Sequence, residues 1–466
     1  MLLGLLVILP TGNLAACDPT GVIALDLSQA TSIPEDSAWF CPGMIVLVDG
    51  VYEEEEESVG KGLSGSSGIG GTIGGKFQGF FIGQPPCEKR KVTLGVSGPD
   101  GGHDHTIGGG FGWIDFLGVG SERAAGPRMR KLEQRLLRQP SSPDAPGRGR
   151  IVILGELHLD EPRTLQAVRK ILETYAREPE GTSPLSFVMM GNFTEHAVMS
   201  QGGSGGSIEY KEYFDSLASV LTDFPTLLQT ATFAFVPGDN DGWVSAFSGG
   251  ASAPLPRKAV PDMFTSRIRR AFATANAEAN IPTEDGGQPV FTTNPSRLTL
   301  FGPSHELVLF RDDISARLRR TGVRVGSARK KPQRRGDGEA TADNGAEAMD
   351  VDDPAADNTP GDAAQPVAED VRTARKLVKT ILDQGYLAPF RQPIRPVHWD
   401  YAGAMHLYPL PTAMALVDTT APPFCVTYEG CHVMNPGSIL VTGRRGVGRW
   451  IEYHLGGSGK VRECLF

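Results

Sequence analysis

Residues 150–160 read RIVILGELHLD. Ile151, Val152, Ile153 and Leu154 form an unbroken apolar run that leads into Gly155-Glu156-Leu157-His158. A strand with one wet face would show a polar residue at every second position, so this run predicts a short strand buried on both faces. The carboxylate and the imidazole stand where that strand ends, which is where open α/β sheets present ligand groups. Past Pro162, the spacing of Leu165, Val168, Ile171, Leu172 and Tyr175 predicts a helix with one apolar face. The unit is strand, acidic loop, helix.

The layout recurs twice. Leu185 to Met190 is an apolar run ending in Gly191-Asn192-Phe193, and Thr232 to Val236 is another ending in Pro237-Gly238-Asp239-Asn240-Asp241. Three strands that each end in glycine plus Asp, Asn, Glu or His resemble the calcineurin-like metallophosphoesterases, whose loops read Asp-x-His, Gly-Asp and Gly-Asn-His-Asp. Each loop here is recognisable and each is altered at a ligand position.

An active phosphoesterase of that kind needs two metals close together to activate water and hold phosphate. Glu156 is one methylene longer than the aspartate of the pattern, so it displaces a metal. Asn192 replaces a bridging carboxylate with a neutral amide. Asp239 stands where the pattern has asparagine. Asn240 stands where it has the catalytic histidine, and an amide is no general acid near neutral pH. Between Leu407 and His432 there is no Gly-His-x-His. Glu156, His158, Asn192, Asp239 and Asn240 therefore read as vestigial metal-site positions. No catalytic residue, metal or cofactor is assigned.

The chain has 466 residues, enough for two or three domains. Its net charge of −9 argues against a protein whose whole surface grips nucleic acid, though not against a local basic face. Cys17, Cys41, Cys87, Cys425, Cys431 and Cys464 form no Cys-x-x-Cys pair, which argues against zinc and for reduced thiols. The opening MLLGLLVILP lacks a basic segment before its short apolar run and reads as a buried strand rather than a signal peptide.

Residues 1–94 carry five strand signals, with a short helix at Pro34–Phe40 before the fourth, the pattern of an OB barrel. Such barrels commonly bind single strands. Glu53 to Glu57, five acids in a row after the strand MIVLVDGVY, would repel a phosphate backbone, so a protein-contact role is favoured. Gly70, Gly75 and Lys76 have Walker A spacing, but Phe77 stands where Ser or Thr must hold magnesium, and a strand follows instead of a helix. Gly60 to Gly75 is read as a loop. His103-Asp104-His105 imitates a metal loop in the wrong place and reads as connector. Arg128 to Arg138 is a basic amphipathic helix, and 139–150 a linker.

The segment 151–326 is the first part of the α/β body, with a helix at Tyr210 to Leu221 and a short one at Ile268 to Phe272. Residues 327–370 contain almost nothing large and apolar, so they cannot offset their ordering entropy and are expected to be disordered. The basic run 329–335 has the look of a nuclear localisation signal. Order resumes at 371–466 with a helix stopped near Gly385, further strands from 397 to 418, and a closing Asn435-Pro436-Gly437-Ser438. The fold class is thus multidomain: an all-β OB barrel (1–117, with a glycine-rich loop), a basic helix and linker (118–150), then an α/β metallophosphoesterase-type β-sandwich with flanking helices, interrupted at 327–370.

The order of an OB module and an altered phosphoesterase-type domain resembles the B subunits of eukaryotic replicative DNA polymerases, the epsilon branch most closely. The stretches that carry it are LPTGNL (9–14), AWFCPGM (38–44), VDGVY (48–52), GGTIGG (70–75), KTILDQG (379–385) and NPGS (435–438). The resemblance implies a noncatalytic accessory subunit of the nuclear polymerase epsilon complex. Its partners would be the C-terminal zinc-binding region of the epsilon catalytic subunit and other subunits of the holoenzyme and replisome. DNA would be met mostly through the complex, and no membrane is involved. Family members also carry a small N-terminal helical domain, which is not expected in a chain that starts at the OB strand. Two alternatives stand beside this reading: a metal-dependent phosphodiesterase or nuclease with an altered site, and a single-strand DNA-binding OB protein.

Overall fold

The computed structural model describes residues 1–53, 72–93, 131, 133–134, 147–179, 181–197, 206–242, 253–282, 285–301, 305–325, 368–455 and 457–466. Outside them lie the acids after Glu53, the glycine-rich segment before 72, His103-Asp104-His105, most of 118–150, and almost all of the insertion at 327–370 with its basic run. The described chain forms two compact units. One takes 1–87 with 315–325 and 368–394, and the other takes 88–314 and 395–466.

The first unit contains β1 (Leu2–Ile8), β2 (Leu14–Asp18), β3 (Gly21–Asp26), β4 (Thr31–Ser32), β5 (Ile45–Glu53) and β6 (Thr72–Gly83). Their order is β3-β2-β1-β5-β6-β4, and β3 also pairs with β6 in parallel. That second pairing closes five of the strands into the barrel expected of an OB module. Leu6, Ile23, Leu25, Val46, Val48, Phe77 and Ile82 are buried, following the period-2 alternation of the strands. The first strand is buried on one face only: Leu3 is 57% exposed, against none for Leu6. Lys76 lies within β6 and pairs with Glu53 (3.4 Å) and Asp26 (3.6 Å), so its ammonium serves the barrel.

Two expectations change in this unit. Pro34–Phe40 is not a helix. Its backbone is bonded to distant partners instead: Trp39 N–H donates to Thr380 Oγ1, Gln84 Nε2 donates to Trp39 O, and Val323 N–H donates to Phe40 O. The unit that holds the barrel takes 1–87 of the N-terminal part of the chain, and 94–117 lies outside the described residues. The helix Glu369–Gln384, expected to reopen the α/β body, clusters with the barrel. Its Gln384 side chain both accepts from Ile45 N–H and donates to Ile45 O, as a neighbouring strand would. Gly385 ends the helix at φ 60°, as anticipated.

The second unit has two sheets. The first runs β10 (Pro289–Phe291), β9 (Thr232–Val236), β8 (Ser186–Met190), β7 (Arg150–Leu154), β16 (Val447–His454), β17 (Ser458–Leu465). Strands β7 to β10 are parallel, and β16 and β17 are added antiparallel. The second runs β11 (Ser296–Leu300), β12 (His305–Arg311), β13 (Ala413–Val417), β15 (Cys431–Asn435), β14 (Phe424–Tyr428).

All five residues of β7 are buried, as its apolar run predicts. Ile151 and Ile153 join Val188, Met190, Leu307, Leu309, Ala415 and Val417 in the core between the sheets. Val152 and Leu154 face the other way, among the helices Pro162–Ala176, Gly206–Thr222 and Asp262–Glu278. Each such side chain contributes roughly 1.5–3 kcal/mol by leaving water.

In this unit too, several elements differ from expectation. Arg150 is the first strand residue, not the last of a linker. Asp262–Glu278 is far longer than Ile268–Phe272, carried by its alanines. Between 397 and 418 only β13 is a strand. Trp399–Met405 is a 3-10 helix, and Pro409 and Pro411 have no N–H to give to a ladder. The Asn-Pro-Gly-Ser turn does not close the domain, because the β16–β17 hairpin follows it. None of the six cysteines is joined in a disulfide.

Candidate functional site

The loops after β7, β8 and β9 meet at the carboxyl ends of their strands, where the chain passes too close for side chains. A Cβ on Gly155 would lie 2.4 Å from Gly437 O, and one on Gly238 would lie 2.2 Å from Asn192 Oδ1. These glycines are set by close approach rather than by a turn type. Asn435, in the Asn-Pro-Gly-Ser turn, accepts from Asp418 N–H and Gly437 N–H and donates to Asp418 O, which fixes the turn against Gly155. Phe193 is fully buried edge-on to Phe214 (5.2 Å) and anchors the second loop.

Glu156 sits at φ 50°, a left-handed conformation that costs a non-glycine residue about 1 kcal/mol or more. Its carboxylate is held on every side. Arg311 donates to both oxygens, Nε to Oε2 at 2.9 Å and Nη2 to Oε1 at 2.8 Å. Asn192 donates its N–H to Oε2 (3.2 Å) and its Nδ2 to Oε1 (2.9 Å). His158 Nε2 stands 3.2 Å from Oε1. A carboxylate at position 192 could not donate, so asparagine is the residue that lets these two loops touch. Asn192 Oδ1 in turn accepts from Asn240 N–H (2.9 Å), and Asn240 Nδ2 donates to the carbonyls of Thr194 and Glu195.

Asp239 turns to a second guanidinium. Arg395 Nη2 donates to its Oδ1 at 2.6 Å and lies 3.0 Å from Asp312 Oδ1. Arg311 and Arg395 are both buried. Asn294 aims the first: its Nδ2 donates to Arg311 O and its Oδ1 accepts from Arg311 N–H. Asp241 accepts from Phe193 N–H, Gly238 N–H and the Tyr210 hydroxyl, and Arg257 donates to its carbonyl.

Burial pushes the Glu156 carboxyl upward, but the Arg311 charge and the hydrogen bonds from His158 and Arg311 outweigh it and hold the acid well below its ordinary range. His158 shows the mirror case: burial lowers it, and the hydrogen bond and charge of Glu156 raise it above its usual value. Asp241 is the exception. Burial carries it to about 6 against its backbone donors and Tyr210.

The five positions singled out in the sequence therefore do converge. Glu156, His158, Asn192 and Asn240 form one hydrogen-bonded chain, while Asp239 belongs to the neighbouring Arg395 cluster. Sequence reasoning missed Arg311, Arg395, Asp312, Asn294 and Tyr210. A buried acid demands a counter-charge, which is a signal that one exists but not where.

The donor set does not fit a two-metal centre. The Glu156 lone pairs are spent on two donors of Arg311 and two of Asn192, and a guanidinium has no lone pair for a metal and no proton to exchange near neutral pH. Among the described residues no group of three or more His, Cys, Asp or Glu is arranged to hold a metal ion.

Comparison with known proteins gives two family matches. Residues 151–426, more than half of the chain, match the family described as the DNA polymerase alpha/epsilon B subunit. Residues 1–86 match the OB-fold domain described as DNA polymerase epsilon subunit 2-like. Similar proteins include the DNA polymerase epsilon B subunit of Saccharomyces cerevisiae, 31% identical over 100% of this chain and 59% of that protein. The Schizosaccharomyces pombe protein of the same name is 31% identical over 95% of this chain and 58% of its own length. DNA polymerase epsilon subunit 2 of Mus musculus is 26% identical over 95% of this chain and 62% of its own length. The chain spans about three fifths of the relatives it matches.

Proposed function

The chain belongs to the DNA polymerase alpha/epsilon B-subunit family, and on that premise we propose that it is a noncatalytic accessory subunit of the polymerase epsilon complex. In this reading the second unit is a calcineurin-like phosphoesterase fold whose site is retired. The barrel and the retired domain offer a scaffold to the C-terminal zinc-binding region of the catalytic subunit during nuclear chromosomal replication. The relatives' names support the complex, and the matched OB domain supports the architecture.

One observation carries the loss of catalysis: Arg311 and Arg395 occupy the acids at the ends of β7 and β9. Each guanidinium supplies one fixed positive charge where a hydrolase needs a Lewis acid with open coordination. The resulting cluster neutralises itself and stiffens the loops. Such a cluster suits a protein that presents a surface better than one that turns over a substrate.

Co-expression of this chain with the C-terminal regions of the epsilon, delta and alpha catalytic subunits, followed by size exclusion, tests the assignment. A stable one-to-one complex with epsilon alone is expected. A complex with delta or alpha instead, or hydrolysis of a generic phosphodiester with added manganese, would overturn it.

A further inference from the structure

A cavity of about 580 Å³ opens beside His158, and nothing in the polymerase-subunit reading uses it. It lies at the start of the helix Pro162–Ala176, between the β7 loop and the β15–β16 connection. Its volume falls in the range of small-molecule sites.

Three features of the wall point to an anion. The helix begins on Pro162 and Glu161 before it makes no side-chain capping bond, though its carbonyl accepts from Thr164 N–H; Glu161, Arg163 and Thr164 bring this positive end of the helix into the cavity wall. Thr164, in the first turn, also lines the cavity. It is completely buried, and its hydroxyl has no hydrogen-bond partner among the described residues. A buried hydroxyl left unpaired is costly and calls for a partner, an ordered water or a ligand.

The balance of charge is also positive. Arg163, Arg444, Arg445 and His158 line the cavity. Glu156 is taken by Arg311, and Glu161 pairs with Arg163. Arg444 leans on Glu463, while Arg445 makes no ion pair or hydrogen bond with a described residue. The arginines stand on the turn 441–446, with Gly443 at φ 79° and Gly446 at φ 70°. The remaining wall, Leu440, Val447 and Phe466, is apolar.

We propose that this cavity binds a nucleoside monophosphate, with the phosphate at Thr164 and the arginines and the sugar or base on the apolar wall. The ligand is either a free nucleotide or the 5′-phosphorylated end of a DNA strand, since both present the same group. The proposal stands whether or not the chain assembles with a polymerase.

Calorimetric titration of the full chain with dAMP at low salt tests it, with inorganic phosphate as the minimal probe. Binding of dAMP, and weaker binding of phosphate, is expected. Arg445→Glu, an exposed position, should weaken dAMP by about tenfold or more. Thr164→Val should weaken it by about tenfold while the melting temperature stays or rises, because an unpaired hydroxyl leaves the interior. A 5′-phosphorylated oligonucleotide binding better than its 5′-hydroxyl twin assigns the site to strand ends, and equal binding of the two assigns it to free nucleotides. No binding of dAMP, or unchanged binding by Arg445→Glu, overturns the proposal.

Discussion

Strand β7 carries a buried arginine–carboxylate cluster at each end, and the two are built differently. At its start, Arg150 donates to Glu178 (2.9 Å) and Thr182 O (2.6 Å) and lies 3.5 Å from Glu452. Glu452 also accepts from the Tyr175 hydroxyl and meets His454 and Arg462, both of which reach solvent. At its finish, Glu156 has one guanidinium, Arg311, and both side chains are nearly withdrawn from solvent. The first cluster is redundant and half wet, while the second hangs on one guanidinium, with Asn192 and the half-buried His158 beside it, and is the drier of the two. A buried ion pair is therefore no mark of function by itself. The mark is at the second end, where three glycine-bearing loops converge on it.

The largest effect should come from breaking the dry end. Arg311→Met leaves Glu156 buried without its cation and should lower unfolding free energy by about 3–5 kcal/mol, as read by urea denaturation. Arg150→Met should cost roughly 1–3 kcal/mol, since Glu178 and Glu452 keep water and other cations. Equal losses would show that the two ends are energetically alike.

The acid limb of stability comes next. Glu452 is held at about 2; burial raises it, and His454, Tyr175 and Arg150 more than reverse that. An acid depressed in the folded state stabilises above its ordinary value of 4.5, and that contribution fades as pH falls from 4.5 toward 2. Glu156 acts in the same direction. Asp241, raised to about 6, acts oppositely: its ionisation opposes folding at neutral pH, and the opposition fades as pH falls from about 6 toward 3.8. Stability should thus hold or rise slightly from pH 7 to 5 and then drop. Glu452→Gln should shallow the drop by up to about 3 kcal/mol. A drop left unchanged by that substitution would assign the acid limb to Glu156.

The smallest effect is a control away from both ends. Lys211 and Asp215 form a half-buried i,i+4 pair on the helix Gly206–Thr222. Lys211→Ala should change stability by no more than about 0.5 kcal/mol, and a larger loss would mean the helix surface is tuned to a partner.

Much of this architecture was legible. Val152 and Ile153 announce a strand wet on neither face, and the helix spacing after Pro162 tells which side is covered. The glycines at 155, 191 and 238 mark where loops must crowd. Other elements were misread because contacts overrode local signals. Pro34–Phe40 trades helical bonds for Thr380 and Gln84, and Glu369–Gln384 joins the barrel through Gln384 and Ile45. Asn435-Pro436-Gly437-Ser438 has the turn chemistry of a chain ending, yet the β16–β17 hairpin follows it.

The sequence by itself determined the strands, the loops at their ends and the five polar positions those loops carry, because apolar periodicity and turn chemistry are local properties. Only the tertiary structure decided what those positions do. Arg311 and Arg395 arrive from over 150 residues away, and no local pattern distinguishes them from the other arginines. Burying a carboxylate requires a counter-charge, but which residue supplies it is settled by the packing of one sheet on another.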